Sequence, residues 1–485
     1  MPAPPPALNC GRPRRTLAAM SAARQFDFDV AVIGGGSAGY AAASATARGG
    51  LRTVVIEGGK EVGGLCILRG CMPTKALLYA AEVKHLTEHA ATWGIQVPEV
   101  RFDFAQVMAR KNAMIADFAG YRRQQLESGR FEFIRDHARF VDPHTVELAG
   151  GRRLTSAHFV LSTGSVVSAP PLPQLGSVGF LTSDDALTLE RLPKSLIVLG
   201  GGAVAVEFAQ FFVRFGVRVT LLQRGAHLLR DFDTDAAEVV EQVFRREGID
   251  LFAGTRLLDA RADGGLKHVT FEHAGQTRTV SAEEIFHGLG RSPNLASLNL
   301  PAAGVTLNAA GRIATDARMR TAAPHIFAAG DCTGPHEIVH LAIQQGETAA
   351  HAILGAQPPR EMDYRLLISV VFTDPQAACV GLTETQARAE GRDFITASYP
   401  FADHGKSLLM EAKDGFVKLL ADPRTGEILG GACVGPSGGD LIHEIVAAMA
   451  KRMTVGELAA LPHYHPTLAE IWTYPAEELA AAVSG

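Results

Sequence analysis

The stretch Gly63–Lys75, GGLCILRGCMPTK, sets Cys66 and Cys71 five residues apart, behind a glycine pair and ahead of a proline and a lysine. A tetrahedral zinc site takes four ligands, and this pair supplies two. Two buried core thiols are the plain reading, and redox exchange is the chemical one. In a regular helix, residues five apart lie about 7.5 Å apart along the axis. A disulfide needs Cα atoms within about 7 Å. A bond between the two would therefore require an irregular helix, which Gly70 permits and Pro73 suits. Thiols near a helix N-terminus and beside Lys75 would have their thiolate forms favoured. Near the other end of the chain, His465 precedes Pro466 and is followed five residues on by Glu470. A histidine oriented by a carboxylate can take and return a proton near neutral pH, which thiol–disulfide exchange requires.

Two copies of one β-α-β unit would position these groups. Residues 29–58, DVAVIGGGSAGYAAASATARGGLRTVVIEG, run from a β-branched strand through Gly34, Gly36 and Gly39 into an alanine-rich helix, then into a second strand ending at Glu57. Such glycines allow a tight turn and close approach of a pyrophosphate to a helix N-terminus, and the terminal acid can bond a ribose hydroxyl pair. Residues 195–225, SLIVLGGGAVAVEFAQFFVRFGVRVTLLQRG, repeat the pattern in register with Gly200, Gly202 and Ala205. Here Gln223 and Arg224 stand at the end of the second strand. An arginine there suits a 2′-phosphate, and Arg230 can add a second positive arm, so NADPH is expected in preference to NADH. Two dinucleotides held side by side suggest hydride passing from a nicotinamide to a flavin.

The chain has 485 residues, 47% of them apolar, and a net charge of −5. That length allows several domains, and the charge offers no broad basic face for nucleic acid. No apolar run is long enough for a membrane helix. Six cysteines in so long a chain suit a reducing, cytoplasmic setting. Residues 1–25 hold prolines and arginines without an acid or an apolar stretch, and read as a tail, or as a start placed ahead of Met20. Cys379 and Cys433 lie in apolar strands, and neither they nor Cys10 and Cys332 carry a spacing that implies chemistry. Residues 76–128 have a helical pattern, and GFVKLLADPRTGEILGGACV looks like a hairpin turned at Pro423–Gly426.

The cysteine stretch resembles the redox-active motif of the class I pyridine nucleotide-disulfide oxidoreductases, the family of dihydrolipoamide dehydrogenase, glutathione reductase and mercuric reductase. The resemblance runs from about Phe28 to the C-terminus, with Leu65 standing where the family usually has threonine. TSAHFVLSTGS (155–165) and IFHGLGRSPN (285–294) resemble the crossovers between flavin and nicotinamide domains, TAAPHIFAAGDCTG (321–334) a second FAD block, and HYHPTLAE the acid–base signature. The fold implied is α/β, with two Rossmann-like dinucleotide-binding domains for FAD and NAD(P) and a C-terminal α+β dimerisation domain. Its division is FAD-binding over 26–165 and 286–358, nicotinamide-binding over 166–285 and interface over 359–485. The resemblance assigns FAD to Gly34, Gly36, Ser37, Gly39, Glu57, Gly64, Lys75, Ala138, Gly164 and Asp331. It assigns the nicotinamide cofactor to Gly200, Gly202, Ala205, Glu207, Gln223, Arg224, Arg230 and Gly290, with Lys75 and Glu207 paired near the flavin.

In the implied reaction Cys66 and Cys71 form the redox-active disulfide. Cys71 faces the flavin and Cys66 attacks the substrate. His465 of the partner subunit, oriented by Glu470, serves as acid–base, which implies a homodimer. Ser44 and Ala45 stand where glutathione reductases carry arginines, which disfavours glutathione. The segments VVFTDPQAACVG and KRMTVGEL lean toward mercuric reductase, but the closing EELAAAVSG has no cysteine pair. The expectation is a dihydrolipoamide-dehydrogenase-like reductase of a small disulfide or dithiol, without metal, membrane or nucleic-acid partner. The alternatives are a mercuric-reductase-like enzyme, a redox-sensing flavoprotein and a diaphorase that bypasses the thiols.

Overall fold

The β-branched run Phe28–Ile33 forms strand β1 in the computed structural model, which describes residues 25–484. Apart from Gln25, the tail expected over residues 1–25, with Cys10 and Met20, lies outside the described residues. β1 leads through helix α1 (Ser37–Arg48) to β2 (Thr53–Ile56). Between β2 and β3 (Glu132–Ile134) stand α2 (Gly64–Leu68), α3 (Cys71–Glu88) and α4 (Phe104–Leu126), the helical segment anticipated from the pattern. β4 (Ala138–Asp142), β5 (Thr145–Leu148) and β6 (Arg153–Leu161) complete a sheet ordered β3-β2-β1-β6-β5-β4. Val30, Val32, Val54 and Val55 are wholly buried, as parallel strands covered on both faces must be.

From β7 (Ser165–Val167) the chain crosses to the second unit, passing α5 (Pro173–Val178) and α6 (Ser183–Ala186). There β8 (Ser195–Leu199), α7 (Ala203–Arg214), β9 (Arg218–Leu222), α8 (Thr234–Arg246) and β10 (Asp250–Phe252) repeat the β-α-β order. An antiparallel sheet follows, of β11 (Arg256–Asp263), β12 (Leu266–His273) and β13 (Gln276–Ala282). β14 (Glu284–His287) then completes the parallel order β10-β9-β8-β14. The return crossing, β15 (Arg291–Pro293), pairs antiparallel with β7, so the two expected crossover segments form one ribbon. β16 (Ile326–Ala328) rejoins the first sheet beside β6, and α9 (Val339–Ile353) packs on α1.

The two units differ at the third small residue of the glycine motif, and the difference is compensated. Gly34 and Gly200 adopt φ of +103° and +114°, each with its backbone pressed against the next strand's end, at Ser162 and Gly288. In the first unit a Cβ on Gly39 would lie 1.9 Å from the Gly34 carbonyl and 2.6 Å from Ser162 Oγ. In the second unit Ala205 occupies that place, and the strand supplies Gly288, whose own Cβ would lie 2.8 Å from Ala205 Cβ. The methyl has moved from the strand to the helix.

The C-terminal sheet is antiparallel, ordered β17-β18-β21-β20-β19. Its strands are β17 (Ile368–Val371), β18 (Gln376–Gly381), β19 (Ile395–Pro400), β20 (Phe416–Ala421) and β21 (Ile428–Gly435), with the expected hairpin between the last two. Helices α10 (Glu384–Ala389), α11 (Gly405–Leu409), α12 (Gly438–Ala450), α13 (Val455–Ala459) and α14 (Thr473–Ser484) accompany it, and Trp472 and Phe401 are fully buried in its core. Polar clusters join this layer to the second unit. Buried Lys418 on β20 reaches Asp233 (3.0 Å), Asp235 (2.8 Å) and Glu384 (2.9 Å). Arg214 on α7 reaches Glu247 (2.6 Å) and Asp374 (2.8 Å).

The compensation predicts that Gly288→Ala alone destabilises the protein by about 1–3 kcal/mol through overpacking against Ala205. Adding Ala205→Gly recovers most of the loss in thermal unfolding. Additive losses in the double variant contradict this account.

Candidate functional site

The two cysteines flank a break in the helix. α2 ends at Leu68, Arg69 and Gly70 leave helical geometry, and α3 restarts at Cys71. Gly70 folds back so closely that a Cβ there would sit 3.1 Å from the Leu65 carbonyl and 3.3 Å from Cys66 Cα. Pro73 falls in the first turn of α3, where its missing N–H costs nothing. The chain therefore brings Cys71 back toward Cys66, and the two thiols are free and hydrogen-bonded to each other. The hydrogen bond from Cys66 draws Cys71 down to about 7 despite burial, and the Lys75 charge adds to the effect. The same bond and burial push the Cys66 thiol up. One sulfur is thus disposed to be a thiolate and the other to keep its proton. Burial pushes Cys332 and Cys379 up to about 12, which leaves them inert.

Lys75, one turn into α3, places Nζ 2.9 Å and 2.8 Å from the two oxygens of Glu207 on α7. By its residue type alone Glu207 would be a solvated helix charge. Its side chain is instead only 3% exposed and also accepts the backbone N–H of Phe372, at 3.0 Å. The Lys75 ammonium lies 4.6 Å from the centre of the Phe372 ring.

His465 Nδ1 lies 2.9 Å from Glu470 Oε2. The carboxylate is nearly buried while the imidazole is 78% exposed, which leaves the second ring nitrogen open to a reactant or another chain. Sequence reading missed a third member. His404, wholly buried, has Nε2 3.4 Å from Glu470 Oε1. No spacing rule links a histidine 66 positions upstream to that carboxylate. His463, given no role from the sequence, pairs with Glu444 at 2.6 Å.

The nucleotide motifs present their helix ends as expected of such units. A Cβ on Gly36 would meet only Gly64 Cα, at 3.8 Å, and one on Gly202 would meet nothing within 4 Å. Both N-caps, ahead of Ser37 and Ala203, thus open onto free space suited to a phosphate. Glu57 accepts from the N–H of Gly35 and of Gly59, each at 2.7 Å. In the second unit Gln223 folds over Gly201 and donates to the His227 carbonyl at 3.3 Å. Arg224 is exposed and makes no hydrogen bond or ion pair among the described residues. Arg230 is also exposed, with a 3.5 Å contact to Asp231. Gly164 and Gly290 border the crossover ribbon, where the Asn294 N–H donates to the Gly164 carbonyl and the Ser168 N–H to that of Gly290. Ala138 opens β4.

Asp331 accepts from Ser165 Oγ at 2.7 Å, and that oxygen accepts from Arg291 Nε at 2.8 Å. Ser165 and Arg291 were not singled out in the sequence, and neither was Arg122. The Arg122 guanidinium lies 4.3 Å over the Tyr40 ring and interacts with Cys66 through its charge.

Two sequence profiles cover most of this chain. One, the pyridine nucleotide-disulphide oxidoreductase profile, matches residues 28–346, and the dimerisation domain of the same enzymes matches 367–476. The chain belongs to the pyridine nucleotide-disulphide oxidoreductases. Among these oxidoreductases it is 34% identical to a dihydrolipoyl dehydrogenase of Geobacillus stearothermophilus, over 92% of this chain and 95% of that one. It is 32% identical to a mercuric reductase of Bacillus cereus, over 94% of this chain and 72% of the other. The HOCl-induced flavoprotein disulfide reductase RclA of Escherichia coli superposes with a TM-score of 0.83 at 27% identity, covering 93% and 99% of the two chains. LpdA of Mycobacterium tuberculosis superposes with 0.84 at 28% identity, with the same coverage. The family and the α/β fold with its dimerisation domain are those expected. The protein is an FAD-dependent NAD(P)H:disulfide oxidoreductase. Among the described residues, no helix is long and apolar enough to cross a membrane, and no group of three or more His, Cys, Asp or Glu could hold a metal.

The arrangement predicts a thiol in the reduced protein that titrates with a midpoint near pH 7, with the thiolate lost as pH falls through that value. Cys71→Ser removes the step, and Lys75→Met moves it to higher pH. Ultraviolet thiolate absorbance measures both, and an unmoved midpoint in Lys75→Met refutes the electrostatic role.

Proposed function

We propose that this oxidoreductase is a homodimeric, NADPH-preferring reductase of a small disulfide, similar to dihydrolipoamide dehydrogenase. The observation that carries the reading is the pair of hydrogen-bonded thiols across the α2–α3 break, next to the Lys75–Glu207 ion pair. The FAD-binding part would comprise 26–165 and 286–358, the nicotinamide-binding part 166–285 and the interface part 359–485. The glycine cradle fits FAD: the open N-cap at Gly36 with Ser37 and Gly64 would face its pyrophosphate, and Glu57 its ribose. Gly34 and Gly39 shape that turn, the backbone at Ala138 would meet the adenine, Gly164 would line the crossover, and Asp331 and Lys75 would face the flavin end. Bound FAD supplies two-electron transfer between nicotinamide and the cysteine pair. Gly200, Gly202, Ala205, Glu207 and Gly290 would line the nicotinamide cofactor's site, with Gln223 closing the turn.

In the proposed cycle Cys66 gives its proton to the open nitrogen of His465 of the partner subunit, which Glu470 orients. The raised pKa of Cys66 explains why a base is needed. The Cys66 thiolate attacks one sulfur of the substrate disulfide, breaking the S–S bond and forming a mixed disulfide. The departing thiolate takes the proton from His465. Cys71 then attacks Cys66 Sγ, closing the Cys66–Cys71 bond and releasing the second substrate thiolate. The charge-assisted contact open to a 2′-phosphate is the unpaired Arg224, with Arg230 beside it.

Steady-state rates with NADPH and NADH, against lipoamide, glutathione disulfide and mercuric ion, test this reading. Arg224→Glu is expected to lower kcat/KM for NADPH about tenfold more than for NADH. Equal losses, or a native preference for NADH, reject the NADPH assignment. Cys66→Ser is expected to abolish disulfide reduction while NADPH still reduces the flavin. Retention of disulfide turnover in that variant overturns the thiol route, and reduction of a quinone or oxygen that is unaffected by it favours a diaphorase.

A further inference from the structure

We propose that His404 is a positioning residue for the acid–base pair. Acting through Glu470, it fixes the tautomer and orientation of His465. The inference rests on the reading of His465 as the acid–base group. His404 precedes α11 and is completely enclosed, with Nδ1 2.8 Å from the Oγ of Ser407, itself fully buried. Its Nε2 is buried and has no hydrogen bond, and Glu470 Oε1 lies 3.4 Å away. Burial lowers the pKa of this ring, so it stays neutral near pH 7 with a single N–H. Were that proton on Nδ1, a bare nitrogen lone pair would face the carboxylate. The favourable tautomer has the Ser407 hydroxyl donating to Nδ1 and the N–H at Nε2 aimed at Glu470.

Glu470 then divides its oxygens between two imidazoles. Oε1 faces the buried donor, and Oε2 accepts from His465 Nδ1. This leaves the outer nitrogen of His465 with its lone pair free for the thiol proton. Catalytic hydrogen bonds are often long in a resting structure and tighten when charge develops. The titratable groups whose charges act on His404 are Glu470 and His465. The ring of Tyr474 on α14 lies 6.5 Å away, and Tyr399 of β19 stacks on Tyr474. Asp403 and Lys406 flank His404 along its own segment. Removing the buried donor leaves Glu470 a stronger acceptor for the N–H of His465, which tightens the hold of that ring on a proton it takes up.

The test compares His404→Phe, His404→Gln and Ser407→Ala in the FAD-loaded protein, with lipoamide as the disulfide probe. Two readouts are taken: the pH profile of lipoamide reduction and the rate of flavin reduction by NADPH. His404→Phe is expected to lower lipoamide kcat/KM about tenfold and to move the basic-group midpoint up by about half a unit. Flavin reduction is unchanged. His404→Gln, which keeps an N–H donor, restores the midpoint, and Ser407→Ala shifts it in the same direction as His404→Phe by a smaller amount. A midpoint unmoved in His404→Phe, or in Ser407→Ala should the first variant not fold, overturns the inference. Equal losses in both half-reactions also overturn it. His465→Gln separates the two levels. If it leaves the pH profile intact, the acid–base reading itself fails. If it abolishes the limb while the His404 and Ser407 variants leave the midpoint in place, only the positioning role fails.

Discussion

One enclosed carboxylate ties this molecule together. Glu207 sits on the helix of the second nucleotide unit, yet its oxygens hold Lys75 from the helix that starts at Cys71 and the N–H of Phe372 just past β17. A carboxylate so deeply placed is tolerable only when paired, and loss of one partner from such a site costs about 3–5 kcal/mol. The sulfur-bearing helix, the second β-α-β unit and the C-terminal layer therefore share a single electrostatic requirement. Gln210 and Arg214 follow Glu207 on α7 and hold the next residues of the same loop, with Gln210 bonded to the backbone of Asp374 and Arg214 to its carboxylate.

Around that anchor the charges divide the work between the two sulfurs. Cys71, at the start of a helix and close to Lys75, carries negative charge easily, whereas Cys66 retains its proton by donating it to Cys71. An exposed imidazole held from behind by an enclosed carboxylate complements this asymmetry in the proposed cycle, where the attacking sulfur is the one that would first be deprotonated.

Much of this was legible in the sequence because it depends on local spacing. The cysteine stretch, the glycine triplets and the His465–Glu470 interval each lie within one or two elements, where chain geometry decides which atoms meet. The irregular helix required for the cysteines appears as the break at Arg69 and Gly70. What escaped detection depends on tertiary proximity. The pairing of Glu207 with Lys75 came from the family resemblance and not from residue type, and nothing local reveals that the backbone of Phe372 will also close over that carboxylate. His404 meets Glu470 only after β20 and β21, which lie between them in sequence, have folded. The chain from Arg291 through Ser165 to Asp331 likewise joins segments that only the crossover ribbon brings together.

The exchanged methyl between the duplicated units has a consequence for how such a chain can change over time. In one unit the helix gives up its side chain and the strand keeps a serine. In the other the helix keeps a methyl and the strand gives up everything, across more than eighty residues of sequence. A segment copied from one half into the other brings half of a matched pair, leaving either a collision or a gap. The two halves are therefore not interchangeable parts, and an exchange of segments between them is restrained by a contact only one carbon wide.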